Sequence, residues 1–531
     1  MKRNKLFFLN AVGLAFINIT LRFISVSFNA YVSEKIGAES MGLFTLVMSV
    51  YGLAVIFACS GVNLASVRLS SEKAAILERN ALNKREYVKC SSSVIRSCLG
   101  YSLIFSLTAS AVLFSFSTLI GEKLLGDPRC VTSLKIVSVS LPAISATSAL
   151  SGYFTGIRKA YKNALTVVIE QFLKISVTSL ALSITVPSFS DPVEYACIAV
   201  VGGSAVAEAF SLIVGSILYF TDSKVPAGVT PGDGDNTECV SIRADLKETA
   251  SISLPTAVGS YARSGLVTAE HLLIPGGLRK HGLNASSALA SYGIMQGMVF
   301  PLILFPSALP ASFSSLLIPE IAGLSATGDR KKIERAANKA LSVSLMFSVG
   351  VSAVFLNFAR DFGMTLYDQP DAVTGIMIMA PLVPVMYLDS TVDALLKGLG
   401  AQLDSMKINI ADAAASLLLV FVLVPLLGIY GYMITVYFCE ILNLILSFTR
   451  LVHVAGFKPS VVAPLVKSLL SAAFTSALYI FLETFSFASS ISSPLWIVSF
   501  SLFYIIIAFF FPLGNHFRLR IDVFRGRISF S

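Results

Sequence analysis

Charged side chains are scarce in this sequence. Of the 531 residues, only 13% are Asp, Glu, Lys or Arg, whereas 55% are hydrophobic. Soluble globular proteins carry about 25% charged residues. A chain of this length therefore has too little polar surface for several soluble domains, and the composition predicts that lipid covers most of the outside.

Residues that catalyse reactions or hold metals are also rare. The chain has four histidines and seven cysteines, and their spacing fits neither a zinc site nor a disulfide framework. We find no nucleophile–base pattern and no Walker loop. The sequence therefore predicts no enzymatic activity, no cofactor and no metal. The net charge of +9 is spread over short segments rather than a basic stripe, so no nucleic-acid partner is expected.

Long apolar runs make up most of the chain. A helix needs about 20 mostly apolar residues to cross the hydrocarbon core, and about fourteen runs of that length occur. The first run has no small-residue cleavage site, so we expect a retained span rather than a signal peptide. The pattern predicts an all-α integral membrane protein. The runs centre on 6–32, 41–66, 92–118, 131–156, 163–186, 194–220, 248–274, 287–317, 337–359, 372–398, 406–427, 430–452, 464–485 and 494–513.

The basic residues between the runs predict the orientation. With a cytoplasmic N-terminus, most of the 40 Lys and Arg fall in cytoplasmic segments. Because basic residues are retained on the cytoplasmic side, both termini are predicted to be cytoplasmic. The outer segments then hold only Lys35, Lys123, Arg129, Lys135, Arg279, Lys280 and Arg360.

One long hydrophilic connection divides the runs. It covers 221–247 and contains Pro, Gly, Asp and Asn in succession, which is typical of a flexible turn. The sequence therefore predicts an N-terminal lobe of six helices at 1–220, a cytoplasmic linker and a C-terminal lobe of six helices at 248–455. Two extra helices and a basic tail follow at 456–531.

Two arginines lie inside apolar runs. Arg22 and Arg263 are mid-span in the first and seventh runs, which open the two predicted lobes. An ionisable residue inside a span costs a few kcal/mol and normally faces water or a partner. Guanidinium groups facing a central cavity would attract an anionic headgroup and can grip phosphate with two parallel bonds. The equal alternative is that each arginine pairs with a carboxylate and only holds helices together.

Three aspartates are candidate ion-coupling residues. Asp389 and Asp393 are four residues apart and repel each other unless a proton or a cation is close; Asp412 follows in the next run. Coupling to H⁺ or Na⁺ is one interpretation. The other is a solvated position, because the cytoplasmic end of that helix is near, at Lys397.

Two further charged pairs favour structural roles. Glu170 and Lys174 are four apart on one helix face, so a local ion pair is the favoured interpretation. Glu270 and His271 lie near the outer end of the seventh run and are expected to be interfacial.

Prolines are concentrated in the eighth run. Pro301, Pro306 and Pro310 each remove a backbone donor and kink a helix, and broken helices occur in transporters at hinges and binding sites. We take these prolines as a candidate hinge. An equally favoured interpretation is that the prolines form a rigid kink that serves only helix packing.

Several stretches resemble a known superfamily. Leu43–Lys73 with Gly42 resembles the second span, and Ser291–Ala322 the eighth span, of stage V sporulation protein B-like polysaccharide biosynthesis proteins. These proteins form a branch of the multidrug/oligosaccharidyl-lipid/polysaccharide exporter superfamily and are related to the lipid II flippase. Further similar stretches are Leu272–Leu278, Gly328–Arg330, Gly398–Gly400 with Asn409, and Leu426–Gly431.

The resemblance implies a fold and a function. The expected fold has two six-helix lobes that alternate access to a central cavity, plus two C-terminal helices. The expected function is a flippase for undecaprenyl-pyrophosphate-linked saccharides in a bacterial plasma membrane, acting as a monomer among membrane lipids. Arg22 occupies the place of a basic residue in the first span. Phe28 and Asn29 stand where the lipid II flippase branch has Arg-Asp, and the eighth span has no arginine, so only Arg22 is carried over.

Two rival functions stay open at this stage. A cation-coupled drug antiporter of the same fold would require Asp389, Asp393 or Asp412. A non-transporting membrane scaffold that recruits wall-synthesis proteins would depend on loop residues instead.

Overall fold

The described part of the chain is built from α-helices. The structure is a computed structural model that describes residues 2–79, 84–185, 192–222, 242–457, 459–483 and 493–510. The helices are α1 (Lys2–Cys59), α2 (Val62–Arg79), α3 (Lys84–Leu119), α4 (Cys130–Gly156), α5 (Ala160–Thr185), α6 (Pro192–Asp222), α7 (Ile242–Lys280), α8 (Ala285–Gly293), α9 (Phe300–Leu304), α10 (Ala308–Thr327), α11 (Arg330–Asn357), α12 (Ala359–Tyr367), α13 (Pro370–Met379), α14 (Val383–Gly398), α15 (Gln402–Leu427), α16 (Ile429–Ala455), α17 (Val462–Glu483) and α18 (Ser493–Phe510).

Eleven helices in the described ranges are long and apolar enough to cross a membrane. One of them, Ile19–Glu72, covers most of two predicted runs, because α1 leaves helical geometry only at Gly37 and α2 follows it after the short break at Ser60 and Gly61. The run 248–274 lies within α7, and the last run corresponds to the shorter apolar helix Pro494–Ala508. The all-α membrane class is confirmed, and the number of fourteen spans stays a prediction.

Gly37 marks the break inside α1. Its φ of 76° lies in the left-handed region, which an L side chain rarely adopts and glycine adopts without strain. The break falls between the runs 6–32 and 41–66, where the sequence predicts a connection between two spans.

The helices group into two compact units. Unit 1 contains Met1–Ala30, Met298–Ala415 and Tyr432–Ser531, and unit 2 contains Tyr31–Gly297 and Ser416–Gly431. The predicted linker lies largely outside the described residues, at 223–241. The lobe boundaries at 220, 248 and 455 stay a prediction.

Unit 1 has two buried apolar clusters. The larger joins α10, α11, α14 and α16 around Leu341, Val392 and Leu451. The other joins α11, α17 and α18, where Phe358, Phe500 and the ring of Tyr479 pack together. The two C-terminal helices are therefore anchored on α11.

Unit 2 is held together by small residues as well as apolar ones. Val62, Leu69, Tyr101 and Ala149 form a buried cluster between α2, α3 and α4, and α7 packs against it. Elsewhere α1 and α8 cross at Gly42 and Gly293; a Cβ added to Gly293 would lie 2.5 Å from the backbone nitrogen of Gly42. Such close approach between helix backbones is typical of membrane helices with glycine at the contact.

Candidate functional site

The region from α8 to α10 is a helix interrupted twice. A π-helical turn at Ile294–Val299 leads into α9, and a 3₁₀ turn at Phe305–Ser307 leads from α9 into α10. Pro301 lies in the first turn of α9, Pro306 lies in the 3₁₀ turn, and Pro310 lies in the first turn of α10. Each proline lacks an N–H and clashes with the preceding turn. The segment therefore cannot form an uninterrupted series of α-helical backbone hydrogen bonds. We call residues 294–310 the broken segment.

The Leu304 carbonyl loses its helical donor in this segment. In an α-helix it would accept from the N–H of Ala308, but that N–H turns to the carbonyls of Phe305 and Pro306. In the 3₁₀ turn the Leu304 carbonyl accepts from the backbone N–H of Ser307 instead, and the Ser307 hydroxyl also donates to it, at 2.6 Å.

Arg22 reaches the same carbonyl. Its Nη2 lies 3.4 Å from the Leu304 oxygen, and the neighbouring ring of Phe23 packs against Phe305 with centroids 5.8 Å apart. The guanidinium is otherwise exposed. The structure therefore brings Arg22 and the predicted hinge prolines together within unit 1, a relation that the sequence does not reveal.

Two buried tyrosines on other helices donate hydrogen bonds to backbone carbonyls of the broken segment. Tyr387 on α14 donates to the Ile303 carbonyl at 2.6 Å, and Tyr367 at the end of α12 donates to the Met298 carbonyl at 3.1 Å. A buried carbonyl without a donor costs about 1–3 kcal/mol, so these bonds stabilise the broken geometry. The sequence analysis missed both tyrosines, since an isolated Tyr in an apolar run gives no signal of its partner.

Arg263 lies in α7 within unit 2, and its side chain is exposed. Nearby on α7, Tyr261 donates to the Ser60 hydroxyl at 2.6 Å, and Tyr101 lies 2.8 Å from the same oxygen. Ser60 separates α1 from α2 and has a φ of 42°. The two tyrosines thus secure a strained break in the helix; that Arg22 and Arg263 face one cavity stays a prediction.

The predicted ion-coupling residues have different surroundings in unit 1. Asp393 pairs with Lys397 at 3.1 Å and accepts a hydrogen bond from Ser405 at the start of α15. Asp389 and Asp412 are half-buried on α14 and α15. Asp393 therefore has a counter-charge on its own helix, and ion coupling by the three aspartates stays a prediction.

A polar cluster lies inside unit 2. The Tyr51 hydroxyl contacts Glu208 Oε2 at 2.6 Å and Ser140 Oγ at 2.8 Å. Lys174 is in electrostatic range of both Glu208 and Glu170. The favoured local ion pair between Glu170 and Lys174 is not among the ion pairs of the described residues, so that expectation is wrong. Glu208 on α6 competes for the ammonium, because α5 and α6 pack side by side.

The expected interfacial position of Glu270 and His271 stays a prediction. Glu270 is buried within the protein, and His271 Nδ1 lies 2.9 Å from the hydroxyl of the fully buried Tyr292 on α8. The packing of α8 against α7 therefore covers Glu270 and half-buries His271.

An ion network connects three segments of unit 2, near Glu39, Arg129 and Ser286. Arg129 Nη2 lies 2.9 Å from Glu39 and 2.8 Å from Asp127, and Glu39 also accepts a hydrogen bond from Ser286 at the start of α8. Hydrogen bonds to Asp127, and then to Glu39, raise the pKa of Arg129. The sequence analysis used Arg129 only for orientation; the charged sequence Asp127-Pro128-Arg129 beside a predicted span was the available signal.

Comparisons with known proteins agree with this fold. The chain is similar to the lipid II flippase MurJ in an inward closed conformation, with a TM-score of 0.66, 17% identity, and 95% of this chain and 97% of that chain covered. It is also similar to an inward-facing multidrug resistance MATE family transporter of the MOP superfamily, with a TM-score of 0.60, 15% identity, and 83% and 99% of the two chains covered.

A curated sequence relative points the same way. Stage V sporulation protein B of Bacillus subtilis (strain 168) is 26% identical over 404 residues, which are 75% of this chain and 74% of that protein. The profile of the family described as polysaccharide biosynthesis protein matches residues 9–274.

The fold and its apolar spans define a multi-pass α-helical membrane protein, and the folds of a lipid II flippase and of a MATE family transporter are similar to it. Within that class, the chain belongs to the polysaccharide biosynthesis protein family. Its relatives include a flippase and transporters, so the prediction that the chain is not an enzyme is confirmed.

Proposed function

We propose that this protein flips an undecaprenyl-pyrophosphate-linked saccharide across a bacterial plasma membrane by alternating access, with both termini in the cytoplasm. The observation that carries the proposal is the exposed guanidinium of Arg22 inside an apolar span, where its Nη2 lies 3.4 Å from the Leu304 carbonyl. A pyrophosphate offers such a group a much stronger, bidentate partner. The similarity to a lipid II flippase and to stage V sporulation protein B supports the same substrate class.

Arg22 and Arg263 are proposed to contact the pyrophosphate. Replacing either with Ala removes a charge-assisted contact worth roughly 1.5–3 kcal/mol, so we expect flipping to fall at least about tenfold in each variant and further in the double variant. The measurement is the rate at which a labelled undecaprenyl-pyrophosphate-linked saccharide becomes accessible on the far side of proteoliposomes that contain the purified protein.

Arg360→Ala is the matched control, because Arg360 is an exposed arginine in a predicted outer segment. It should flip at the wild-type rate. Normal flipping by correctly inserted Arg22→Ala and Arg263→Ala variants would refute the assignment of the site.

Cation coupling is proposed to use the aspartates of unit 1. Asp389 and Asp412 are half-buried on α14 and α15, and Asp393 faces the ammonium of Lys397. We expect Asp412→Asn and Asp389→Asn to remove the response of flipping to an imposed Na⁺ or H⁺ gradient, while Asp393→Asn retains most of it. A gradient response that survives in the Asp389→Asn/Asp412→Asn double variant would exclude this coupling site.

The same assay separates the rival functions. A cation-coupled drug antiporter would export ethidium from vesicles under the gradient and leave the lipid-linked saccharide in place. A scaffold would show neither activity and would tolerate both arginine substitutions in cells.

A further inference from the structure

Positive charge is concentrated in the first turns of α11. Residues 330–339 include five basic side chains and one acidic side chain. Lys332 pairs with Asp329 at 2.8 Å, so these two charges offset each other. Lys331 and Arg335 are exposed and take part in none of the ion pairs of the described residues. Their charges are therefore available to a ligand that comes from outside the chain.

A hydrogen bond places the start of α17 beside these two cations. The N–H of Ser460, two residues before α17 begins, donates to Asn338 Oδ1 on α11 at 2.8 Å. Lys331 and Arg335 precede Asn338 by seven and three residues, and such spacings put side chains on one face of a helix. With a rise of 1.5 Å per residue, the cations lie about 10 Å and about 4.5 Å nearer to the start of α11 than Asn338.

An apolar ridge begins at the same end of α17. It consists of Val462, Val466 and Leu469, which are all exposed and are spaced by four and three residues, so that they align along one side of the helix. Because Val462–Glu483 is long and apolar enough to cross a membrane, the ridge contacts the acyl chains of lipid. It therefore leads from the hydrocarbon toward the level of the two cations.

An anionic phospholipid matches both parts of this surface. Such a lipid carries a phosphate at the boundary of the hydrocarbon and acyl chains beneath the phosphate. Basic segments next to membrane spans attract anionic lipids, and Lys and Arg form charge-assisted hydrogen bonds to phosphate oxygens. A zwitterionic lipid matches the surface less well, because its own ammonium group already lies beside its phosphate.

We propose that the first turns of α11 and the start of α17 form a docking site for one anionic phospholipid, whose phosphate binds Lys331 and Arg335 and whose acyl chain lies along the apolar ridge. The bound lipid bridges α11 and α17 and thereby stabilises the packing of the C-terminal helices on unit 1. The inference uses neither Arg22 nor the transported substrate, so its failure would leave the proposed function untouched.

The first test is native mass spectrometry of the full chain in detergent, with phosphatidylglycerol or phosphatidylcholine added. Wild type should retain one phosphatidylglycerol and should bind phosphatidylcholine at least about tenfold more weakly. Each Lys or Arg near an anionic lipid surface contributes about fivefold in affinity. The Lys331→Gln/Arg335→Gln variant should therefore bind phosphatidylglycerol at least about tenfold more weakly than wild type.

Arg360→Gln/Lys407→Gln is the matched control. It also removes one arginine and one lysine, both of which are exposed and lie elsewhere in unit 1, so the net charge changes by the same amount. It should bind phosphatidylglycerol as wild type does. Unchanged binding by Lys331→Gln/Arg335→Gln, or an equal loss in both double variants, would overturn the site.

Thermal unfolding gives an independent readout. A ligand that binds only the folded protein raises its unfolding temperature, so phosphatidylglycerol should stabilise wild type and the control but not Lys331→Gln/Arg335→Gln. Glycerol 3-phosphate, a phosphate headgroup without acyl chains, should not displace the lipid at equal concentration. Displacement by glycerol 3-phosphate as effective as that by phosphatidylglycerol would mean that the site binds a free anion, and would overturn the proposal of a lipid.

Discussion

Gly293→Ala is expected to destabilise the protein and to suppress transport at least tenfold. The new Cβ would lie 2.5 Å from the Gly42 nitrogen and would collide with the Ala38 carbonyl, whereas nonbonded heavy atoms settle at about 3.5–4.0 Å. Both obstacles are backbone, so α8 must shift away from α1. Overpacking of this kind costs about 1–3 kcal/mol, and a factor of ten corresponds to about 1.4 kcal/mol.

A shift of α8 away from α1 would also affect residues outside the contact between Gly42 and Gly293. Ser286 near the start of α8 donates to Glu39, which also pairs with Arg129, and α8 runs directly into the broken segment. We therefore expect both the ion network around Arg129 and the carbonyls near Arg22 to be disturbed.

Gly323→Ala is the control for this substitution. Gly323 lies within α10, and a Cβ there meets nothing within 4 Å. Removing an unneeded glycine from a helix stabilises it by roughly 0.5–1 kcal/mol. The two substitutions should thus shift the thermal unfolding temperature in opposite directions; a Gly293→Ala protein as stable and as active as wild type would refute the close approach of α1 and α8.

Tyr387→Phe is expected to have the second large effect. Tyr387 is only 1% exposed and donates to the Ile303 carbonyl. Phenylalanine keeps the ring but leaves that carbonyl unpaired, at a cost of about 1–3 kcal/mol. Because the Ile303 and Leu304 carbonyls are adjacent, we expect the position of Arg22 beside the broken segment to be disturbed as well, and flipping to fall about tenfold.

Tyr504→Phe separates this effect from general instability. Tyr504 on α18 is 4% exposed and donates to the Met346 carbonyl at the same distance of 2.6 Å. Thermal unfolding should show similar losses of stability in the two variants, while the flipping assay should show a loss in Tyr387→Phe alone. Equal flipping rates in Tyr387→Phe and Tyr504→Phe would mean that the hydrogen bond from Tyr387 to the Ile303 carbonyl has no functional role.

The apolar runs predict much of the secondary structure because hydrophobic length is a local property. Runs such as 131–156 and 430–452 nearly coincide with α4 and α16. The merging of two runs into α1 is also a local matter, since Gly37 alone leaves helical geometry. The prolines likewise predict an interrupted helix, although not its sequence of π and 3₁₀ turns.

The partners of the charged and hydroxylated residues could not be predicted in this way. Spacing on one helix favours a pair between Glu170 and Lys174, but Glu208 enters from α6 and changes the outcome. Arg22 and Leu304 are 282 residues apart in sequence, so no local pattern connects them. These contacts depend on which helices pack together, and a single sequence contains that information only through the complete fold.

The most direct measurement compares two lipids in proteoliposomes of the wild-type protein. One is an undecaprenyl-pyrophosphate-linked saccharide, and the other is a neutral glycolipid with the same saccharide and chain. If guanidinium groups receive the headgroup, the protein will flip the pyrophosphate lipid at least about tenfold faster, as expected when a charge-assisted pair is lost. Equal rates for the two lipids would contradict the account.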